Sequence, residues 1–303
     1  MQHRSRIDQR NIRSPLCLTL GLLVASTLVT WNQACAQDDT AAALAERSAI
    51  VLRGKVVKTN ASAEPTLAAS RQTAIVMVQE TLAGQEIVGD QNGRTATVVL
   101  HSPDRLKVGD EALFFGNPRF MGQSLTLADE GEIPSGKGAA PALDDARRGI
   151  QTRRDRPVRE RLETSALVFR GTVESVRPLA AAPGPGNKPE QAGSEHDPEW
   201  QVAMVRVATP LRGGKTGDAV AVIFAASRDI VWFGAPKLVQ GQDAIVIAHA
   251  ADKEEGGRYR SGVLTTFLAQ QTAYLVIKPS DVLAPAEEAR VRGLLTQMKE
   301  NKP

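Results

Sequence analysis

Histidine, serine and acidic side chains are the groups in this sequence whose chemistry could support catalysis or metal binding. Beyond residue 36 the histidines are His101, His196 and His249, and no pair has the i, i+4 spacing of a helical metal site. His196 lies between Glu195 and Asp197, but adjacent side chains do not converge on one ion without further ligands. We therefore expect no metal site.

Signatures of phosphate binding and of a nucleophile are incomplete. The segment GGKTG at 213–217 places Thr209 where a P-loop needs its first glycine, and a strand pattern follows where the P-loop needs a helix. No G-x-S-x-G elbow occurs, and both cysteines precede residue 37. We expect no cofactor and no catalytic residue, although sequence alone leaves open a serine activated by a distant lysine or histidine.

The first 36 residues have the order of a secretory signal peptide. Arginines come first, an apolar run follows at 16–31, and the small residues of Ala34–Ala36 close the segment. This order predicts export to the periplasm or the cell exterior, with cleavage after Ala36. An uncleaved anchor is disfavoured by the short run, and a lipid on Cys35 by the residues before it.

Removal of this segment changes the electrostatic character of the protein. The full chain carries 37 Lys and Arg against 34 Asp and Glu, and residues 1–36 hold four arginines and one aspartate. The mature chain is therefore neutral, without cysteine and with few aromatic residues, and no later run is long enough to span a bilayer. We expect no nucleic-acid partner and no membrane span in the mature chain, and its oligomeric state is left open.

The rest of the chain reads as a duplication. SAIVLRGKV at 48–56 matches SALVFRGTV at 165–173, and four further blocks match in the same order. The first four blocks of each copy are short aliphatic runs bounded by turn residues, which predicts strands. The fifth block, Pro141–Ile150 and Pro285–Leu294, begins with proline and soon carries acidic residues, as helices commonly do.

A fifth strand is expected near Gln123–Ala128 in the first copy and near Val263–Ala269 in the second. Five strands and a helix in each copy predict a mainly β (α+β) protein with two tandem OB-like Greek-key barrels. An immunoglobulin-like sandwich is the alternative, but it needs about seven strands. The predicted division is a signal peptide, a first barrel with its helix, an arginine-rich linker and a second barrel with its helix, at 1–36, 37–150, 151–160 and 161–303.

Glycines recur at matching places in the two copies, which indicates a structural role. Gly54 and Gly171 fall inside the first predicted strand, where an OB barrel bends that strand to close the sheet. The preceding Arg53 and Arg170 are expected to pair locally across the barrel, ahead of a ligand contact. The other repeated glycines end later strands or precede them: Gly84, Gly213, Gly109 and Gly241.

The strand blocks of the second copy resemble those of netrin/TIMP-like OB-fold modules. SALVFRGTV ends its strand in an R-G step, VAMVRVATPLRG ends in L-x-G, and LVQGQDAIVI carries a glycine before an apolar strand. The resemblance implies tandem barrels and, as one function, protease inhibition. Metalloproteinase inhibitors of that group reach the target's metal through an N-terminal cysteine, which the mature chain lacks. An inhibitor of this kind would have to act through loops.

Differences between the copies point to where function resides. The second copy carries SRDIVWFGAPK at 227–237, where the first copy has only HSPDR. Trp232, Phe233 and Gly234 are the candidate interaction loop, and the alternative is that both rings seal the barrel. We expect an exported, non-catalytic binding or protein-interaction protein whose ligand or protein partner is unknown. The alternatives are a protease inhibitor acting through loops and, third, an uncharacterised hydrolase.

Overall fold

A computed structural model describes residues 40–122, 124–135, 139–179, 198–251 and 262–301. The predicted signal peptide and the Glu195–Asp197 segment lie outside these residues. Within them, no helix combines the length and the apolar character needed to cross a membrane.

The first copy forms a closed barrel of five strands. They are β1 (Ile50–Thr59), β2 (Thr73–Ala83), β3 (Thr95–Val99), β4 (Glu111–Met121) and β5 (Leu125–Pro134). Around the barrel they follow the order β1-β2-β3-β5-β4, and β1 pairs with β4 to close it. The strands β3 and β5 are parallel, and the other neighbours are antiparallel.

Alternating burial along these strands produces the first barrel's core. Side chains two residues apart on a strand face the same side, so one apolar set from each strand points inward. Ile50 and Leu52 of β1 meet Phe114 of β4 and Leu127 of β5 in this interior, and all four are fully buried. The short helix α2 (Gln85–Val88) follows β2 and contributes Val88 to one end of the core.

The second copy closes in the same order. Its strands are β6 (Leu167–Pro178), β7 (Trp200–Arg212), β8 (Ala219–Ala225), β9 (Asp243–Ala250), β10 (Tyr274–Leu275) and β11 (Val282–Leu283). The ring runs β6-β7-β8-β10-β9, and β11 adds a further pairing along β9. The prediction of a mainly β protein with two five-stranded OB-like barrels is confirmed.

The fifth strand was predicted correctly in the first copy and wrongly in the second. β5 begins at Leu125, within the predicted strand. Val263–Ala269 instead lies in the helix α4 (Gly262–Gln270), and β10 takes the place expected for the strand. Leu264, Phe267 and Leu268 have the i, i+3, i+4 spacing of a helix face, and they pack on the outside of the second barrel.

Three helices precede, connect or follow the barrels. They are α1 (Ala41–Arg47), α3 (Ala139–Thr164) and α5 (Glu288–Glu300). α3 follows the first barrel and leads into the second, and the predicted linker 151–160 lies within this helix. Its first half packs on α1 through Ala146, and its second half packs on the second barrel through Val158 and Leu162.

Candidate functional site

The candidate interaction loop follows β8 and covers part of the second barrel. Trp232 is only 4% exposed and meets Trp200 of β7 edge to face, with ring centroids 5.7 Å apart. Trp232 and Ala235 join α4 in covering the outward-facing side chains of β7 and β8. Trp232 therefore seals the barrel, which was the alternative role for the aromatic pair.

Phe233 has the opposite environment although it is adjacent in sequence. It is 81% exposed, and its neighbours Ile230 and Val231 are 88% and 59% exposed. Gly234 is also exposed. We call Ile230, Val231 and Phe233 the apolar tip.

Polar contacts hold this loop in shape. The Asp229 carboxylate accepts the backbone N–H groups of Val231 at 2.7 Å and of Trp232 at 3.2 Å. The Lys237 ammonium donates to the backbone oxygens of Ala225, Ser227 and Trp232, the last two at 2.9 and 3.1 Å. Desolvation lowers the pKa of Lys237, although Asp229 and Glu199 oppose this effect. These contacts hold the backbone of the loop in a conformation that leaves the apolar tip exposed.

The sequence pattern predicts an interaction loop here but does not separate its buried residues from its exposed ones. It predicts one common role for Trp232 and Phe233 and does not point to Ile230 or Val231. The missed signal was a run of four large apolar residues, Ile230 to Phe233, between the charged Asp229 and the turn residue Gly234. Which of the four point inward depends on the turn that Asp229 organises.

The repeated glycines lie where the chain needs them. A β-carbon on Gly171 would lie 2.5 Å from the Arg206 carbonyl oxygen, and one on Gly54 would lie 2.9 Å from the Met77 carbonyl oxygen. Each glycine adjoins a register shift between the first and second strands of its barrel, consistent with a bend there. The other glycines of the set all have positive φ: Gly84, Gly213, Gly109 and Gly241.

The paired arginines before these bends contact carboxylates of their own barrels. Arg53 lies 3.9 Å from Glu80 on β2. Arg170 makes a closer contact with Asp243 on β9, at 2.6 Å, and also lies 3.6 Å from Glu288 of α5. Local pairing accounts for Arg170, whereas Arg53 has only this longer contact and its buried Nε has no hydrogen-bond partner among the described residues.

Within the described ranges, no group of three or more His, Cys, Asp or Glu side chains could hold a metal ion. His101 is exposed, and His249 is buried beside an ion pair. Arg161 of α3 donates to Asp281 at 2.5 and 3.1 Å, and His249 lies 3.3 Å from the same carboxylate. Thr164 contacts the other ring nitrogen of His249 at 3.3 Å.

This Arg161–Asp281–His249 cluster fastens α3 to the second barrel. Asp281 also accepts the backbone N–H groups of Ile277 and Lys278, at 2.7 and 2.8 Å. Burial opposes ionisation of Asp281, but hydrogen bonds from His249 and Arg161 outweigh it and lower the pKa of this carboxyl group. The bonding satisfies a buried charge, as a structural cluster requires.

A second buried polar feature, the acid pair, lies in the first barrel. Asp129 and Glu132 of β5 lie next to each other, and Glu132 accepts the Ser102 N–H at 3.0 Å. Burial, together with the contact and charge of Glu132, raises the pKa of Asp129 to about 9. One of two facing carboxyl groups must carry a proton to donate, so the pair holds a proton at neutral pH.

The acid pair was missed because residues three apart on a regular strand face opposite sides. In the register of β5 with β4, Gly131 pairs with Phe115 and Asp129 pairs with Gly116, so Glu130 is an extra, bulged residue. The bulge brings Asp129 and Glu132 to the same face. No pattern in the sequence predicts the position of this bulge.

No protein-family model matches this chain, and a search of curated proteins gives no significant match. The netrin/TIMP-like resemblance therefore stays a prediction.

Proposed function

We propose that this chain is an exported, non-catalytic protein-binding protein that inserts its apolar tip into a cleft of a partner protein. The observation that carries the proposal is the exposure of Ile230, Val231 and Phe233 side by side on a braced loop. Large apolar side chains grouped on a surface are typical of interaction sites. A loop that is already ordered loses less conformational freedom on binding, so the bracing favours recognition.

Charge near the apolar tip favours a protein cleft over a membrane surface. Segments that bind anionic membranes usually combine apolar residues with several Lys or Arg. Here Arg228 is the exposed cation adjacent in sequence, and the Asp229 carboxylate lies next to it. An aromatic side chain with neighbouring aliphatic residues is a composition that anchors protein interfaces.

The contacts of the buried carboxylate of Asp281 support a non-catalytic role. Asp281 is saturated by Arg161, His249 and backbone N–H groups. A catalytic acid or base needs access to a substrate proton, and these contacts leave Asp281 committed to the fold.

The experiment places a photocrosslinking benzoylphenylalanine at position 233 and, as the matched control, at Val108. Val108 is 62% exposed on the first barrel, so it measures non-specific crosslinking from an exposed apolar position. We expect position 233, and not position 108, to crosslink one discrete exported protein. The purified partner should then bind the Ile230→Ser/Phe233→Ser variant at least tenfold more weakly, while Val108→Ser binds like the wild type. Equal binding by all three proteins would refute the proposal.

Protease inhibition is the second candidate, and the observation that favours it is the same projecting, braced loop. An inhibitory loop must keep its conformation in the protease cleft, which the contacts of Asp229 and Lys237 would promote. The mature protein should be assayed against secreted metallo- and serine proteases. Inhibition by the wild type that is lost in Phe233→Ser supports this candidate, and absence of inhibition at high protein concentration excludes it.

Export is a separate part of the proposal and has its own test. The protein should be expressed from its full gene in a bacterium, and the exported form should be sequenced from its N-terminus. We expect the sequence to begin at Gln37, because cleavage is predicted after Ala36. Retention of residues 1–36 would contradict this.

A further inference from the structure

We propose that the open end of the first barrel binds a small organic monoanion with a short apolar part, such as an alkyl carboxylate. The site is a cavity of about 540 Å³, which we call the mouth pocket. It lies between the β2–β3 connection, which supplies Val88 and Arg94, and the turn into β5, which supplies Ser124 and Leu125. Its volume is within the range of small-ligand sites, and barrel mouths are a common place for them.

The floor of the mouth pocket is apolar and belongs to the barrel core. Val88 and Leu125 line the cavity and are also members of the first barrel's hydrophobic cluster. Because the core holds these side chains, the floor is formed without the ligand. A short alkyl group placed on it would be removed from water, which favours binding in proportion to the apolar area buried.

Arg94 supplies the charge that the ligand must match. It lines the cavity and is exposed, and among the described residues no carboxylate forms an ion pair with it. The nearby Glu64 is buried, and its oxygens accept from Thr66 at 2.9 Å and from the Ser124 N–H at 3.3 Å. A planar guanidinium binds a carboxylate through two parallel hydrogen bonds, and a single arginine matches a single negative charge.

The second barrel does not repeat this arrangement. The alignment of β3 with β8 places Asp218 where the first barrel has Arg94. Asp218 accepts the Lys215 N–H at 2.8 Å within a short turn, where the first barrel has the longer connection that contains α2. The cation and the floor residue Val88 are therefore particular to the first barrel.

The test uses the mature chain, residues 37–303, with sodium hexanoate, hexanol and inorganic phosphate as probes. Binding is followed by amide chemical shifts in ¹H–¹⁵N spectra. We expect hexanoate to shift the amides of Gly93, Gly122 and Ser124 with a dissociation constant on the order of 1 mM. Hexanol should bind more weakly at the same amides. Phosphate that shifts them as strongly as hexanoate would overturn the proposal, because the apolar floor would then contribute nothing.

Variants separate the charge from the cavity. Arg94→Gln should weaken hexanoate binding about tenfold and leave hexanol binding unchanged. Arg71→Gln is the matched control, since Arg71 is an exposed arginine paired with Asp104 at 2.9 Å, and it should bind like the wild type. Thr95→Trp, at an exposed position lining the cavity, should abolish both interactions. Hexanoate binding that survives Arg94→Gln and Thr95→Trp unchanged would refute the site.

Discussion

The two barrels are fastened by opposite chemistry to the helix that precedes their first strand. In the first barrel Leu44 of α1 packs over Gly131 of β5, where an added β-carbon would lie 2.7 Å from a Leu44 methyl group. The corresponding residues of the second barrel are Arg161 and Asp281, which form a buried ion pair. Leu44 and Arg161 correspond because each lies four residues before the serine that opens the repeat.

The fifth strand explains how each fastening is possible. β5 runs through Gly131 without a break, and only a glycine leaves room for Leu44 there. In the second barrel a turn at Pro279–Asp281 separates β10 from β11. This interruption frees the N–H groups of Ile277 and Lys278 to bond Asp281. One barrel topology thus accepts an apolar or an ionic fastening, but the ionic one requires the strand to break.

Inside the barrels the difference is reversed, because there the first barrel has the ionisable side chains and the second has apolar ones. The acid pair Asp129 and Glu132 of the first barrel is replaced by Val276 and Val282 in the second. The register supports this, since Leu127 pairs with Val98 as Tyr274 pairs with Val222, and Glu132 pairs with Phe114 as Val282 pairs with Val246. At both of these places, the acid pair and the Arg161–Asp281 pair, one barrel has ionisable side chains where the other has apolar residues.

The largest effect is expected from breaking the ionic fastening. Asp281→Ala leaves Arg161 buried without its carboxylate, and we expect a loss of about 3–5 kcal/mol in the free energy of unfolding, measured with urea. The double variant Arg161→Leu/Asp281→Gly places in the second barrel the residue types of Leu44 and Gly131 in the first. It should be less destabilised than Asp281→Ala, because both charges are removed. A double variant that is as strongly destabilised as Asp281→Ala would show that the two fastenings are not interchangeable.

The acid pair should make stability depend on pH. The folded-state pKa of Asp129, about 9, exceeds the ordinary value of 3.8, so folding takes up a proton between these values. Stability is then fully present below about pH 4 and is lost as the pH rises towards 9, by at most about 1.4 kcal/mol per pH unit. Between pH 5 and pH 8 we therefore expect the stability that this pair contributes to fall steadily as the pH rises.

The control for this pH dependence is Asp129→Asn, which keeps the shape and removes the ionisation. Urea unfolding at several pH values should give a flatter stability profile for the variant than for the wild type. If the two profiles have the same slope above pH 5, the pair does not hold the proton.

The apolar fastening is expected to be sensitive to the size of the side chain at position 131. Gly131→Ala places a methyl group against Leu44, and overpacking of this kind costs about 1–3 kcal/mol. The added variant Leu44→Ala should recover part of the loss in a double-mutant cycle. Thermal unfolding of the single and double variants checks this, and equal destabilisation with and without Leu44 would contradict the close contact.

The smallest effect on stability is expected at the apolar tip. Phe233→Ser should change the unfolding free energy by less than about 0.5 kcal/mol, because the side chain is 81% exposed. Trp232→Ala, one residue away, should cost about 3–5 kcal/mol. Urea unfolding of both variants checks the difference. A similar cost at the two positions would mean that Phe233 belongs to the core.

Much of the fold was predictable from the sequence, and most of the sites were not. Repeated apolar blocks with turn residues between them indicated the strands, and the closed barrels confirm that interpretation. The prediction of a fifth strand at Val263–Ala269 was wrong, because Leu264, Phe267 and Leu268 have the spacing of a helix face. The candidate interaction loop stays a prediction, and the inward and outward positions of Trp232 and Phe233 depend on the Asp229 turn.

By itself the sequence determined the duplication, the barrel architecture and the glycines at the strand bends, because these follow from local patterns and backbone sterics. The tertiary structure decided which polar groups are buried together. Arg161 and Asp281 are 120 residues apart in sequence and meet only when α3 packs on the second barrel. Asp129 and Glu132 share a face only because one residue bulges from β5. Such meetings depend on packing and register over the whole barrel, which no local pattern encodes.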